Sequence, residues 1–224
     1  MISIKNMSFS YEKINDTILK NMNLEIPNGI YLSILGENGS CKTTLIKLIL
    51  GLLTPDQGTI SVDTKKVSYL PQHIDNYNSA FPISVYEILK AHAKSLHLDV
   101  NSSICKVLKE VNMEDFKHSL IGNLSGGQQQ RIFIARAIMG DPELLILDEP
   151  STGVDQKNIK DIYSIFHQLN LNNTTIISVE HNVDIALEYS THILKIKEGR
   201  ITLETAKEFE KQLCIKETNK NVSI

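Results

Sequence analysis

The segment Ile30-Tyr31-Leu32-Ser33-Ile34-Leu35 reads as a buried strand that stops at a glycine. Gly36-Glu37-Asn38-Gly39-Ser40-Cys41-Lys42-Thr43 follows, and a helical pattern runs from about Lys42 to Leu50. A glycine-rich loop between strand and helix, closed by Lys-Thr, is the context of a phosphate-binding loop. Glycines let the main chain wrap close to phosphate oxygens with its N–H groups pointing inward. The helix start adds partial positive charge. At this spacing Lys42 reaches the β- and γ-phosphates, and the Thr43 hydroxyl is placed to ligate Mg²⁺. The competing reading, an ordinary glycine-rich turn, is disfavoured by the intact Gly…Gly…Lys-Thr spacing. One position departs from the pattern: Cys41 stands where glycine is usual. It is either a tolerated small residue, the reading favoured here, or a thiol activated by the helix end and Lys42.

Strand-like and helical patterns alternate along the rest of the chain, which points to an α/β architecture. Ile2 to Phe9 and Asn21 to Ile26 read as early strands, and Thr59–Val62 and Val67–Leu70 as short ones. From about Ser84 to Leu120 the pattern is helical, opened by a Ser84-Val85-Tyr86-Glu87 capping box. Ile88, Leu89, Ala91 and Leu96 are expected in the core of that region. Leu144–Leu147 and Thr174–Val179 lack alternation, as strands buried on both faces do. Ile193–Lys197, Glu198-Gly199 and Arg200–Leu203 read as a closing hairpin. Residues 207–220 read as a solvated face and the last dozen residues as frayed.

Composition removes several function classes. The 224 residues carry 23 Lys+Arg against 26 Asp+Glu, a net charge of −3, so a basic surface gripping nucleic acid is not expected. No apolar run approaches the roughly 18–20 residues of a membrane-spanning helix, and no signal peptide is expected at the N-terminus. Cys41, Cys105 and Cys214 are unequally spaced and include no Cys-x-x-Cys, which fits a reducing compartment.

A second chemical motif lies at Leu144-Leu145-Ile146-Leu147-Asp148-Glu149-Pro150, with two acids at the end of a buried strand. In an open parallel sheet that edge is where ligands bind. Asp148 suits a hold on Mg²⁺, and Glu149 suits a general base that polarises attacking water. Alone, the pair also fits a solvated strand-to-loop junction.

Leu124-Ser125-Gly126-Gly127-Gln128 lies between the two nucleotide motifs and ahead of a helix. In isolation it is a helix N-cap with a flexible lead-in. In this place it resembles the signature of ATP-binding cassette (ABC) proteins, and the resemblance extends over roughly residues 1 to 205. It implies a P-loop nucleotide-hydrolase core with a mostly parallel sheet, an N-terminal antiparallel β subdomain and an inserted α-helical subdomain at about 84–125. Residues 1–205 would then be the ATPase domain and 206–224 a polar C-terminal tail.

The family's roles carry over by position. The phosphate loop, Gly36, Asn38, Gly39, Ser40, Cys41, Lys42, Thr43 and Thr44, would bind ATP. Tyr11 matches the aromatic that stacks on adenine, although a core or surface tyrosine is the local alternative. Gln72, in Tyr69-Leu70-Pro71-Gln72, matches the glutamine that touches Mg²⁺ and the attacking water. Asp155 matches the loop that crosses to the partner subunit, and locally it is also a helix N-cap. His181 matches the switch histidine at the γ-phosphate, followed here by Asn182 in place of the usual Asp. Ser125, Gly126, Gly127 and Gln128 of one subunit would close on the ATP held by Lys42 of the other, so that two ATP molecules join a head-to-tail dimer.

Within that family the chain resembles the separate ATPase subunit of a transporter whose membrane-spanning subunits are other chains. It would sit peripherally on the cytoplasmic side of the membrane. It has no long coiled coil, second cassette or Cys-x-x-Cys insertion of the kinds found in the chromosome, translation and excision-repair branches. A transporter ATPase for another substrate, or a non-transport cassette acting on nucleic acid or ribosomes, is the alternative. Gln72-His73-Ile74-Asp75, Phe81–Glu87, Met113-Glu114-Asp115-Phe116, Ile121-Gly122-Asn123 and Gln129-Gln130-Arg131 are similar to cassettes of zinc and manganese importers. Such a system implies an extracytoplasmic metal-binding protein as a further partner. The histidines themselves show no metal-ligand spacing, so the cargo would pass through the membrane partner.

Overall fold

The computed structural model describes every residue except 12–17, 73–81, 153, 155, 198 and 222–224. In chain order the elements are β1 (Ile2–Phe9), β2 (Leu19–Ile26), β3 (Tyr31–Leu35), α1 (Lys42–Ile49), β4 (Gln57–Val62), β5 (Val67–Leu70), α2 (Val85–Ser95) and α3 (Val100–Glu110). They continue with α4 (Gly126–Ile138), β6 (Leu144–Asp148), α5 (Gln156–Leu171), β7 (Thr175–Val179), α6 (Val183–Tyr189), β8 (His192–Lys197), β9 (Arg200–Thr205) and α7 (Ala206–Asn221). The chain forms two compact units, one of Met1–Lys65 with Thr175–Ile224 and one of Lys66–Thr174.

In the first unit β1 lies between β2 and β4, antiparallel to both, with Ile4 opposite Leu24 on one side and Ile60 on the other. The buried residues of β1 are Ile2, Ile4, Met7 and Phe9, so the alternation slips by one between Ile4 and Met7. Register irregularities with both neighbours fall in this region, and Asn6 there adopts a left-handed φ of 48°. A bulge of this kind restores the apolar face after the slip.

β3 pairs in parallel with β7 on one side and β8 on the other, and β9 returns antiparallel along β8. Every residue of β3 and β7 is buried, which explains why neither alternates in polarity. Parallel neighbours end at the same edge, so the loop after β3 and the loop after β7 emerge together. The former is the phosphate loop and the latter carries His181.

In the second unit β5 and β6 are parallel, with Leu70 opposite Leu147. Gln72 follows the one strand and Asp148-Glu149 closes the other, again at a shared edge. Helices α2, α3 and α4 pack on one another. Ser84 caps α2 with the expected reciprocal box: its hydroxyl accepts from the Glu87 N–H, and Glu87 accepts from the Ser84 N–H. The buried face of α2 is Val85, Ile88, Leu89 and Ala93. Ala91 and Leu96, expected in the core, are exposed. Ala91 lies off that face, and Leu96 falls beyond the last helical turn, at the cap.

The C-terminal segment also differs from expectation. Where fraying was expected, α7 extends to Asn221, the last described residue. It is not wholly solvated either, because Phe209 is buried against Leu35, Ala186 and Ile193. Its strongly polar composition hid a single apolar stripe of Ala206, Phe209 and Leu213.

Candidate nucleotide site

The phosphate loop is shaped by two backbone demands. A Cβ on Gly36 would lie 2.5 Å from Ser40 Oγ and 2.8 Å from the Ile196 carbonyl oxygen, so only glycine fits where the chain leaves β3. At the other end Cys41, the residue before α1, has φ 71° and ψ 25°, in the left-handed region. That conformation favours glycine and costs a Cβ-bearing residue about 1–2 kcal/mol. The glycine-to-cysteine departure noticed in the sequence is therefore a strained backbone position.

Between these points the Ser40 N–H donates to the Glu37 carbonyl, 3.1 Å, and tightens the loop. Lys42 is only 6% exposed, and its ammonium donates to the carbonyls of Gly36 at 2.8 Å and Glu37 at 3.0 Å. The charge is thus held over the loop itself. Among the described residues the buried Ser40 Oγ has no hydrogen-bond partner. Gly39 and Asn38 are exposed at the tip, and Thr43 and Thr44 lie in the first turn of α1.

Burial pushes the Cys41 thiol above its ordinary pKa. It stays protonated at neutral pH, which goes against an activated thiol and for a tolerated small residue.

Tyr11 is 63% exposed at the end of β1. Its ring meets Phe9 edge-on, with centroids 5.2 Å apart, and its hydroxyl lies 3.0 Å from Thr44 Oγ1. An accessible aromatic face is thereby fixed beside the first turn of α1. His181 is exposed and lines a cavity of about 540 Å³ together with the loop backbone from Gly36 to Ser40, Glu180 and Phe209. Asn182 caps α6, its side-chain oxygen accepting from the Asp184 and Ile185 N–H groups at 2.9 and 3.3 Å. Asn caps a helix about as well as Asp, which accounts for Asn182 at that position.

The second unit gathers the acidic residues. Asp148 is 1% exposed, and the Tyr69 hydroxyl donates to its Oδ2 at 3.4 Å. Burial, and then the nearby Asp148 carboxylate, push the Tyr69 phenol up to about 12. Glu149 has a left-handed φ of 53°. Such strain in a non-glycine residue is concentrated at functional sites. Its Oε2 accepts from Gln72 Nε2 at 2.6 Å and from the Thr152 hydroxyl at 3.3 Å. The carboxylate is thus aimed by two donors.

Ser125 caps α4 with its own reciprocal box. Its hydroxyl accepts from the Gln128 N–H, and its N–H donates to the Gln128 side chain. Gly126 and Gly127 form the first helical positions. Gln129 donates to the carbonyls of Ile121 and Leu124, at 3.1 and 3.0 Å, and fixes the lead-in. Gln130 donates to the Pro150 carbonyl at 2.8 Å and ties this helix to the turn that holds Glu149. Sequence reasoning did not identify these two anchoring roles, because polar residues on an amphipathic helix read as solvent-facing.

Tyr11, Gly36, Asn38, Gly39, Ser40, Cys41, Lys42, Thr43, Thr44 and His181 therefore belong to the first unit, and Gln72, Ser125–Gln128, Asp148 and Glu149 to the second. Asp155, along with Gly153, His73, Ile74, Asp75 and Phe81, lies outside the described residues.

The ABC transporter family model matches residues 19–152. That span runs from β2 through the phosphate loop and the signature to the Asp148-Glu149 strand end. The chain belongs to the ABC transporter family, as an ATP-binding subunit. It is 44% identical over 199 residues to a Treponema pallidum protein named "Probable metal transport system ATP-binding protein", covering 88% of this chain and 83% of that one. It is 37% identical over 234 residues to the zinc uptake system ATP-binding protein ZurA of Listeria monocytogenes, covering 97% and 90%. Among solved structures it resembles cbiO1 of Clostridium perfringens, part of the ABC transporter complex cbiONQ, with TM-score 0.84, 28% identity and coverage of 97% and 94%. As an ABC cassette the chain is a transport-coupled ATPase, of a class that dimerises and works with membrane subunits.

Proposed function

We propose that this ATPase powers import of a divalent transition metal, zinc in the first instance, through separate membrane-spanning subunits. The observation that carries the reading is the match over 97% of the chain to a zinc uptake ATP-binding protein. Resemblance to manganese importers makes manganese the competing cargo. Among the described residues no helix is long and apolar enough to cross a membrane. As the ATP-binding subunit of such an importer, the chain sits on the cytoplasmic face as a peripheral subunit, and an extracytoplasmic metal-binding protein delivers the ion to the membrane partner.

The catalytic roles follow the chemistry of each group. Loop N–H groups from Gly36 to Thr44 cradle the ATP phosphates, and the Tyr11 ring stacks on adenine. The Lys42 ammonium offsets charge that builds on the γ-phosphoryl oxygens. Glu149, aimed by Gln72 and Thr152, takes a proton from the attacking water as the bond from the γ-phosphorus to the bridging oxygen breaks. His181 donates to the γ-phosphate from the loop after β7. Thr43, Gln72 and Asp148 offer a hydroxyl, an amide and a carboxylate, an oxygen donor set that fits Mg²⁺. When bound, that ion would neutralise charge on the phosphate oxygens. Ser125 and Gly127 of a second cassette close on the γ-phosphate, with Gly126 and Gln128 shaping that helix start, and Asp155 reaches across to the partner.

Cellular metal uptake tests the proposal, with zinc and manganese measured in cells carrying the native chain, lacking it, or carrying Glu149→Gln. Loss of zinc uptake in both altered strains, with manganese uptake intact, is the expected result. Unchanged uptake of both metals would remove the metal assignment.

A further inference from the structure

We infer that α7 is a clamp on the ATP site and that Phe209 is its positioning residue. The apolar stripe of α7, Ala206, Phe209 and Leu213, packs on three places at once. One is Leu35, the residue directly before Gly36 of the phosphate loop. Another is Ala186 with Leu187 on α6, the helix that starts right after His181 and Asn182. The third is Ile193 on β8. Phe209, 7% exposed, thus shares one buried cluster with the base of the phosphate loop and the helix behind the His181 loop. Phe209 also lines the cavity shared by Gly36–Ser40 and His181.

The helix is locked where it begins. The Ala206 N–H donates to the Thr191 carbonyl at 3.0 Å, and Thr205 and Glu208 form a reciprocal cap. Lys195 pairs with the buried Glu204, which also accepts from Gln212 one turn beyond Phe209. The Lys195 ammonium lies 5.0 Å from the centre of the Phe209 ring, a cation–π contact that holds the ring from above. Interactions flank Phe209 on both sides along the helix, so the ring has little freedom to retreat. Packed contacts of this kind set the relative position of two loops because a close-packed core does not deform continuously. Removal of the ring opens the cluster that Leu35 shares with Ala186 and uncouples the two loops.

Two measurements on the full chain test this: amide exchange of nucleotide-free protein, and the dissociation constant for ATP at a temperature where every variant is folded. Phe209→Ala is compared with the native chain and with Phe209→Leu. Val107→Ala serves as a control for general destabilisation, since Val107 is buried on α3 in the other unit. The expected result is faster exchange in segments 36–46 and 180–187 for Phe209→Ala alone. ATP affinity should weaken about two- to thirtyfold, the span of reported coupling effects, and Phe209→Leu should recover most of it. Unchanged exchange in those segments for Phe209→Ala overturns the inference, as does an equal change in Val107→Ala. The inference rests on the phosphate loop as the ATP site. If the native chain binds no ATP, that assignment fails, while the exchange comparison still decides whether α7 holds the two loops.

Discussion

Cys41 shows how one side chain can be tolerated in a loop that asks for glycine. Its left-handed backbone costs about 1–2 kcal/mol. Glycine would relieve this but gives back about 0.4–1 kcal/mol through unfolded-chain entropy. Cys41→Gly is therefore expected to raise the thermal midpoint by about 2–4 °C, on the scale of about 1 kcal/mol in a chain of this length. A midpoint that falls would mean the thiol packs more favourably than its contacts indicate. Because burial disfavours the thiolate, Cys41 should react with an alkylating reagent more slowly than the exposed Cys105 and Cys214. Peptide mass analysis over a time course reads the order directly. Tyr69 supplies a pH test. Its folded-state value of about 12 lies above the ordinary phenol value of 10.0, so between these pH values the native state binds more protons than the unfolded one. Stability must then fall as pH rises through that window. Denaturant midpoints in alkaline buffer should decline in the native chain, and decline less in Tyr69→Phe.

At the scale of elements, two capping boxes give a controlled comparison. Ser84→Ala and Ser125→Ala each remove a reciprocal cap and should each cost about 1 kcal/mol of stability. Turnover should remain native in Ser84→Ala. In Ser125→Ala it should fall roughly a hundredfold, as on loss of a charge-stabilising donor. Equal turnover in the two variants would reduce Ser125 to a structural cap.

The same scale shows what the sequence could reveal. Strands β1 and β5 have the bounds expected from their apolar runs, and the Ser84 cap was visible because both halves of the box are local. The bulge at Asn6 was not legible, since it depends on pairing with two strands distant in the chain. Ala91 was misplaced because it lies off the face formed by Val85, Ile88, Leu89 and Ala93, and Leu96 because the helix ends at Ser95, one residue before it. Helix α7 was hidden by a mostly polar composition, in which the Ala206, Phe209 and Leu213 stripe is easily overlooked. In the candidate site, local spacing pointed to Gly36–Thr43 and to Asp148-Glu149, whereas Tyr11, Gln72, Ser125–Gln128, Asp155 and His181 were reached only through the family resemblance. The contact of Gln130 with the Pro150 carbonyl joins residues twenty apart and left no local signal, whereas those of Gln129 and Thr152 lie within short turns whose spacing matches no familiar motif.

For the molecule as a whole, the phosphate loop with His181 and the acids with the signature fall in different compact units, each arranged at a common strand edge. In the proposed function these groups serve one ATP hydrolysis, with Glu149 as the base. Turnover of MgATP by Glu149→Gln, measured beside nucleotide binding, tests this most directly. Gln keeps the shape and can still accept from Gln72, so binding should stay near native. Turnover should fall by about 10²–10⁴, the usual worth of a positioned general base. Hydrolysis by Glu149→Gln at the native rate, with binding intact, would contradict the account.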